Sequence, residues 1–386
     1  MAGDLTRREV FRGAASLAVL AGAAQGAAAE TLSSERSLWE RYCEALRGLG
    51  AHLDAMGGDA LDRVEGVRCL SRLSALGLDQ WVEHSDPERP SFFELQTPVR
   101  KYLGDNPDQS YRAARIDGRL RYRVRGTLQG AAGVEVTVYA GSFERQSGPR
   151  RLVAALDETQ LAVAPDGSFE LELSPEPRPG AWVRLEPDAH SLLIRTYFWD
   201  RARRLAHPAP TIERSGGEPP PPLAASSLER GLLGSVAFID GSLQFWRSWI
   251  ERVSRLEPNK FFPMPDGGDL QTPRAVRYLE AFVRLAPSEA LLLEATPRAE
   301  PAYWNLVLQN RWGETPDWRA HSVCLNNREL RREPDGRVRI SVGARGDGAA
   351  NWLDTAGHSE LLLSLRWRGN TPLPEFDARV VPIAPA

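Results

Sequence analysis

Asp354 and His358 stand four residues apart in the segment NWLDTAGHSE, residues 351–360. Histidine titrates near neutral pH, so His358 could act as a general acid or base. Asp354 could orient its imidazole where the loop folds back. Arg366, on the strand that follows, could grip a carboxylate or sulfate through two parallel hydrogen bonds. Glu314 and Asp317, just after NRW at 310–312, could supply a second carboxylate. Asn351 and the aromatics Trp352, Tyr303 and Trp312 could form a binding rim, the exposed rings stacking on sugars or other flat apolar faces. Each residue also has a plain structural use. Tryptophan on a sandwich strand packs in the core, Asn and Asp between strands bond their own turn, and a lone histidine is commonly a satisfied polar group.

Several common chemistries lack their signatures. There is no G-x-S-x-G elbow, no H-E-x-x-H, no Cys-x-x-Cys and no phosphate-binding Walker loop. Six histidines spread over the chain do not suit a histidine-rich metal site. Calcium held by Asp and backbone oxygens stays open, because oxygen ligands carry no sharp motif outside EF-hand loops. No other cofactor is implied. Cys43, Cys69 and Cys324 are too scattered for a disulfide framework or a zinc site. Cys43 and Cys69 share a helical region and could pair in an oxidising compartment, but buried thiols are the expectation.

Charge points the same way. A formal net charge of −3 and arginines interleaved with nearly as many carboxylates leave no basic face for nucleic acid. Apolar residues at 42% and charged residues at 26% are ordinary for a soluble globular protein, and 386 residues suggest two or three structural units.

The first segment reads as an address. Arg7-Arg8, a further basic Arg12, an apolar stretch from Ala14 to Ala23 and small residues to Ala29 resemble a twin-arginine export signal. Residues 1–29 are therefore set apart from the fold. The expected partner is the twin-arginine export machinery and the expected location a bacterial periplasm or the cell exterior. No later stretch is long and apolar enough for a spanning helix, so an integral membrane protein is not expected after signal removal.

The elements that must position the 351–366 residues occur twice. LQTP appears at 95–98 and 270–273, PDG followed by alternating residues at 165–173 and 334–342, and a Trp before a His at Trp182/His190 and Trp352/His358. Another tryptophan follows nine residues after each histidine, Trp199 and Trp367. The landmarks LQTP, PDG, His and Trp repeat at offsets of 175, 169, 168 and 168 residues, which reads as a tandem duplication. At that offset Arg366 aligns with Phe198. A histidine shared by both copies suits a structural role, while Asn351, Asp354, Glu314 and Arg366 belong to the second copy and suit a single site. Alternatively, both lobes line one cleft between them.

Each copy opens on helical periodicity. Leu38, Trp39, Tyr42, Leu46, Leu49, Leu53 and Met56 share one stripe, as do Leu243, Trp246, Trp249, Ile250, Val253 and Leu256. Period two then takes over, with Leu120, Tyr122 and Val124, then Phe169, Leu171 and Leu173, and in the second copy Val338, Ile340 and Val342. That alternation favours antiparallel sheets with one buried face, and Asp-Gly between such runs signals hairpins. The fold class is α+β, mainly β, as two tandem antiparallel β-sandwich lobes, each preceded by helices. The proline- and glycine-rich stretch 207–224 reads as a linker, separating a first unit over 30–206 from a second over 225–386.

Asn351-Trp352-Leu353 leading into LLLSLRW resembles the closing motif of domain of unknown function 1214. AWVRLEPDAHSLLIRTYFWDR, with Trp182 and the Arg195–Tyr197 pair, is similar to a diverged version, and YWNLVLQNRW at 303–312 resembles the family's aromatic strand. The resemblance covers most of 95–205 and 265–370 and implies jelly-roll-type sandwiches without an attached reaction. Asp354 to His358 replaces the commoner proline-containing loop. Two functions follow as expectations: a hydrolase or lyase acting on a carbohydrate-like or other polar small molecule, or a non-catalytic periplasmic binding or scaffold protein.

Overall fold

Four sheets arranged in two lobes carry the fold, and the lobes repeat one another strand for strand. The computed structural model describes residues 24–141, 151–216, 224–264, 275–346 and 348–383. Arg7-Arg8, the second LQTP and the four-proline run of the linker lie outside the described residues. The chain divides after Gly48. In the N-terminal unit, helix α1 spans Ala24–Gly48. The expected continuous stripe to Met56 is interrupted there: α2 (Ala51–Met56) starts afresh beyond the Gly48–Gly50 turn, and Trp39 is 60% exposed. Two glycines in three residues withdraw helix propensity where the stripe needed it.

In the main unit, α3 (Ala60–Leu78) begins at a reciprocal cap. The Asp59 carboxylate accepts from the Asp62 N–H at 2.9 Å and the Asp62 carboxylate accepts from the Asp59 N–H at 3.1 Å. A π-helical turn over Asp79–Glu83 continues it. The first lobe contains β1 (Phe93–Glu94), β2 (Gln109–Arg115), β3 (Tyr122–Thr127), β4 (Gly133–Ala140), β5 (Arg151–Asp157), β6 (Ser168–Ser174), β7 (Trp182–Arg184), β8 (Ala189–Tyr197) and β9 (Thr211–Arg214), with α4 (Arg201–Ala206) before β9. Helix α5 (Ala225–Val253) leads to β10 (Phe262–Pro263), β11 (Val276–Arg284), β12 (Glu289–Ala295), β13 (Tyr303–Gln309), β14 (Cys324–Asn326), β15 (Val338–Gly343), β16 (Trp352–Asp354), β17 (Glu360–Arg368) and β18 (Asp377–Pro382).

The sheets run β1-β2-β8-β4-β5 and β7-β6-β3-β9 in the first lobe, and β10-β11-β17-β13-β14 and β16-β15-β12-β18 in the second. Adding nine to each label of one lobe gives the other. All pairs are antiparallel except β6–β7 and β15–β16, which are parallel in both lobes. The Trp182 indole donates to the Ser174 carbonyl at 3.1 Å, and the Trp352 indole donates to the Gly343 carbonyl at 2.9 Å.

The alternating apolar residues fill each lobe's core as their period requires. Tyr122, Val124, Phe169, Leu171 and Leu173 meet Val134, Val136, Leu192 and Ile194 in one. Ile340 and Val342 meet Leu306, Leu363 and Trp367 in the other. The PDG turns do not join two strands of one sheet as expected, although the second closes an antiparallel bridge between Arg332 and Val338. Gly167 and Gly336 sit at φ +87° and +82°, closing tight turns, but β5 and β6 belong to different sheets, as do β14 and β15. These turns are corners that carry the chain from one sheet to the other. Part of the stretch expected to be only a spacer is also structural: Thr211–Arg214 forms the edge strand β9 on β3, with Ile212 reaching the core. A single inward side chain is too short a run for periodicity to register.

The helices are shared between lobes. α3, which precedes the first lobe in sequence, docks on the second. The Trp312 indole donates to the Asp62 carbonyl at 2.7 Å, with Gly66 leaving room for the ring. α3 meets α5 where Gly77 faces Ser235. Among the described residues no helix is long and apolar enough to cross a membrane. Cys43, Cys69 and Cys324 are all free.

Candidate functional site

His358 and Asp354 do not meet. His358 is buried against α3, its Nδ1 3.7 Å from the Asp62 carboxylate and its Nε2 3.4 Å from that of Glu65. Burial alone would lower its pKa, but the two carboxylates prevail and raise it to about 9. Asp354 instead accepts from His321 Nδ1 at 2.7 Å and from the Ala356 N–H of its own turn at 2.8 Å. The intervening Ala356 and Gly357 have positive φ, which turns His358 away from Asp354.

The remaining candidates have structural partners. The Asn351 side chain accepts from the Arg331 N–H and donates to the Arg331 and Arg339 carbonyls, using its full amide. Tyr303 and Trp312, expected as exposed rings, are each only 1% exposed. Tyr303 donates to Asp108, which also accepts from Asn305 and Asn326 and pairs with Arg201 at 2.9 Å, in a buried joint between the lobes. Glu314 is buried against Arg72 of α3, and burial lifts its pKa to about 7 despite that cation. Trp352 is half-buried, its N–H committed to Gly343. Asp317 binds Arg319 at its own turn.

Asp62, Glu65 and His358 are the one group of potential metal donors among the described residues. The two ring nitrogens of His358 face different carboxylates. Arg311 lies 3.5 Å from Asp62, and Asn310 donates to Glu65 at 2.6 Å. The charges balance within the protein, although Asp62 Oδ1 has no hydrogen-bond partner, and the arrangement works as an ion-pair clamp that fastens α3 to the second lobe.

Arg366 alone of the expected residues lines a cavity between the lobes. That cavity, about 230 Å³, lies between the outer faces of the two five-stranded sheets and is covered by α5 and the π-helical turn. Arg366 stands opposite Tyr278 in the β11–β17 ladder and opposite Asn305 in β13–β17. Arg195 stands opposite Tyr111 in β2–β8 and opposite Glu135 in β4–β8. The structural counterpart of Arg366 is therefore Arg195, not the Phe198 reached by a constant offset. Loop lengths between the copies differ, so the offset at this strand is 171 residues. Arg195, Tyr111 and Tyr278 line the same cavity.

Both guanidiniums are nearly buried, 7% exposed for Arg195 and 5% for Arg366. Arg195 donates to the Thr137 hydroxyl at 3.0 Å and the Tyr139 hydroxyl at 3.2 Å. Arg366 donates to the carbonyls of Gly104 at 2.7 Å and Asp105 at 3.3 Å, and its Nε has no partner. Glu280, two residues beyond Tyr278 on the same face of β11, completes the polar wall. It accepts from the Trp249 indole at 3.0 Å and from the Ser364 hydroxyl at 2.9 Å. Burial raises its pKa to about 7, against the pull of these bonds and of Arg366. The remaining wall is mainly aromatic and aliphatic, including Trp81, Phe93, Phe238 and Trp246. One face of the π-helical turn is tied down where Arg115 stacks on the Trp81 ring at 3.9 Å.

Tyr111, Arg195, Tyr278, Glu280 and Trp249 are the cavity residues that motif reading passes over. A signal existed in VRYLEAFVR and LLLSLRW, where Glu280, Ser364 and Arg366 interrupt otherwise apolar strands at period two. A strand whose second face is polar yet flanked by apolar residues has both faces covered, and the polar face then borders something other than bulk water.

The profile of the protein family of unknown function DUF1214 matches residues 102–199 and 285–371, one segment in each lobe. Among solved structures, an uncharacterized protein from Burkholderia cenocepacia is 34% identical, with a TM-score of 0.82 over 89% of this chain and 96% of its own. A protein from Vibrio parahaemolyticus aligns over 80% of this chain and 96% of its own at 12% identity and a TM-score of 0.45. No curated protein matches the chain. The chain carries the DUF1214 domain in two copies and belongs to the family it shares with the Burkholderia cenocepacia protein.

Proposed function

We propose that the protein binds a small molecule with a largely apolar body in the cavity between its lobes. The observation that carries this reading is the cavity itself, an aromatic-walled space with polar groups converging on one side, the usual composition of a small-ligand site. A cavity of about 150 Å³ accepts benzene, so 230 Å³ suits a molecule of two or three rings. The twin-arginine-like segment around Arg7-Arg8 supports export, which makes this a binding protein of the bacterial envelope. Replacing Arg7 and Arg8 by lysine and following the protein by cell fractionation tests that part: retention of the variant in the cytoplasm supports it, and unchanged export removes it.

The neutral fluorophore N-phenyl-1-naphthylamine tests the cavity. Its emission should rise on binding, and Ala113→Trp, which fills the cavity from β2, should abolish the rise while circular dichroism stays unchanged. Equal binding by the folded variant, or none by the wild-type protein, overturns the reading.

An enzymatic reading rests on Glu280, whose pKa near 7 suits proton transfer at neutral pH and which lines the same cavity. The binding reading is preferred because both Glu280 oxygens already accept hydrogen bonds from the protein.

A further inference from the structure

We propose that the ligand of the inter-lobe cavity is a small organic carboxylate, its anionic group held between Arg195 of the first lobe and Arg366 of the second and its flat apolar body packed against the aromatic wall. This rests on the cavity reading and names the chemistry that the cavity selects.

A buried guanidinium is costly unless a counter-charge and hydrogen-bond acceptors surround it. Among the described residues no carboxylate hydrogen-bonds Arg195 or Arg366; buried Glu135 faces Arg195 across the ladder, and Asp105 and Glu280 act on Arg366 only through space. Their bonds go to hydroxyls and carbonyls, and Arg366 leaves its buried Nε unanswered. The contrast with the rest of the interior is direct. Partly buried Arg72 has Glu314, and partly buried Arg201 has Asp108 and Glu329. Among the described residues Arg204 is the third nearly buried arginine and bonds only the Pro107 carbonyl, but it does not line the cavity, where the other two stand together.

The two cations line one cavity together with Tyr111 and Tyr278. Their equivalence in the two ladders means that each lobe contributes the same Tyr–Arg pair to one site. An anion there would accept charge-assisted bonds from the guanidinium groups of both lobes. Glu280 bounds the site on the second lobe and disfavours a dianion, so a monocarboxylate fits the field. The Trp81, Phe238, Trp246 and Trp249 rings then accept an aromatic or compact aliphatic body.

Competition against N-phenyl-1-naphthylamine by 2-naphthoate and by its neutral isostere 2-naphthamide tests the proposal. Wild-type protein should prefer the carboxylate on the order of tenfold or more, the scale of a hydrogen bond to a charged group. Arg366→Gln should erase the preference for carboxylate over amide; Arg366→Lys should retain part of it. Should the glutamine variant fail to fold, the wild-type comparison alone decides. Equal affinity for carboxylate and amide, with the neutral fluorophore still bound, overturns the carboxylate and leaves the cavity reading standing. Failure of the fluorophore and both competitors to bind removes the cavity reading itself.

Discussion

Arg195 and Arg366 occupy the same ladder position in two copies of one sheet and face a single cavity. Duplication alone would place them on separate, distant surfaces. Here the outer faces of the two five-stranded sheets turn toward each other, so a feature present once per copy becomes a pair. Side chains that would be ordinary surface residues on an isolated lobe are thereby buried, and their charge becomes a strong constraint on what the cavity can hold.

Glu280 gives the cavity a pH signature. Its folded pKa is about 7, against 4.5 for the free side chain. Between those values the folded state holds a proton that the unfolded state has lost, so this group's contribution to stability falls as pH rises from 4.5 to 7. The shift corresponds to roughly 3 kcal/mol at most. Glu280→Gln should remove that part of the decline: urea unfolding at pH 5 and pH 8 should differ less for the variant than for the wild-type protein. An identical pH dependence in both would show that Glu280 ionises as it would in water.

His358 should matter to stability rather than to ligand binding. Its pKa is raised from 6.5 to about 9 in the folded state, so the clamp with Asp62 and Glu65 is fully effective below pH 6.5 and is lost as pH rises through 9. His358→Gln should cost about 2–3 kcal/mol at pH 6, and clearly less at pH 9.5, in chemical denaturation. N-phenyl-1-naphthylamine affinity should not move. A loss of fluorophore binding with unchanged stability would return His358 to the role its spacing with Asp354 suggested.

Much of the architecture could be read from the residues, and the reason lies in period and repetition. Phe169, Leu171 and Leu173, like Val338, Ile340 and Val342, announce the buried face of β6 and β15 because a strand has only two faces. The landmarks around Trp182 and Trp352 announce the second copy. The site was less legible. Asp354 and His358 are near in sequence, but positive φ at Ala356 and Gly357 separates them. His358's true partners lie on α3, almost 300 residues earlier. Arg366 stands out for its chemistry, yet its equivalence with Arg195 emerges only from the strand register, because a constant offset does not survive loops of different length.

The packing of α3 makes a sharper mutational test. A Cβ on Gly66 would lie 2.3 Å from the Trp312 ring, far inside contact distance. Helix propensity favours alanine over glycine by about 1 kcal/mol, but overpacking here should outweigh it and leave Gly66→Ala destabilised by about 1–3 kcal/mol. Thermal unfolding checks this. A higher melting temperature would mean that α3 does not press on Trp312.

The two lobes can be compared through their indole anchors. Trp182→Phe and Trp352→Phe each delete one hydrogen bond to a strand-end carbonyl at the equivalent place. Each should cost about 1 kcal/mol, with similar values for the two lobes. A large cost at one site and none at the other would deny that the anchors are equivalent.

The most direct measurement is a crystal structure of the protein soaked with 4-bromobenzoate, read through the anomalous signal of bromine. The account predicts a bromine peak among Trp81, Phe238 and Trp246, with the carboxylate directed at Arg195 and Arg366. A saturated crystal with bromine bound elsewhere, or with the ring in the cavity and its carboxylate turned away from both arginines, would contradict it.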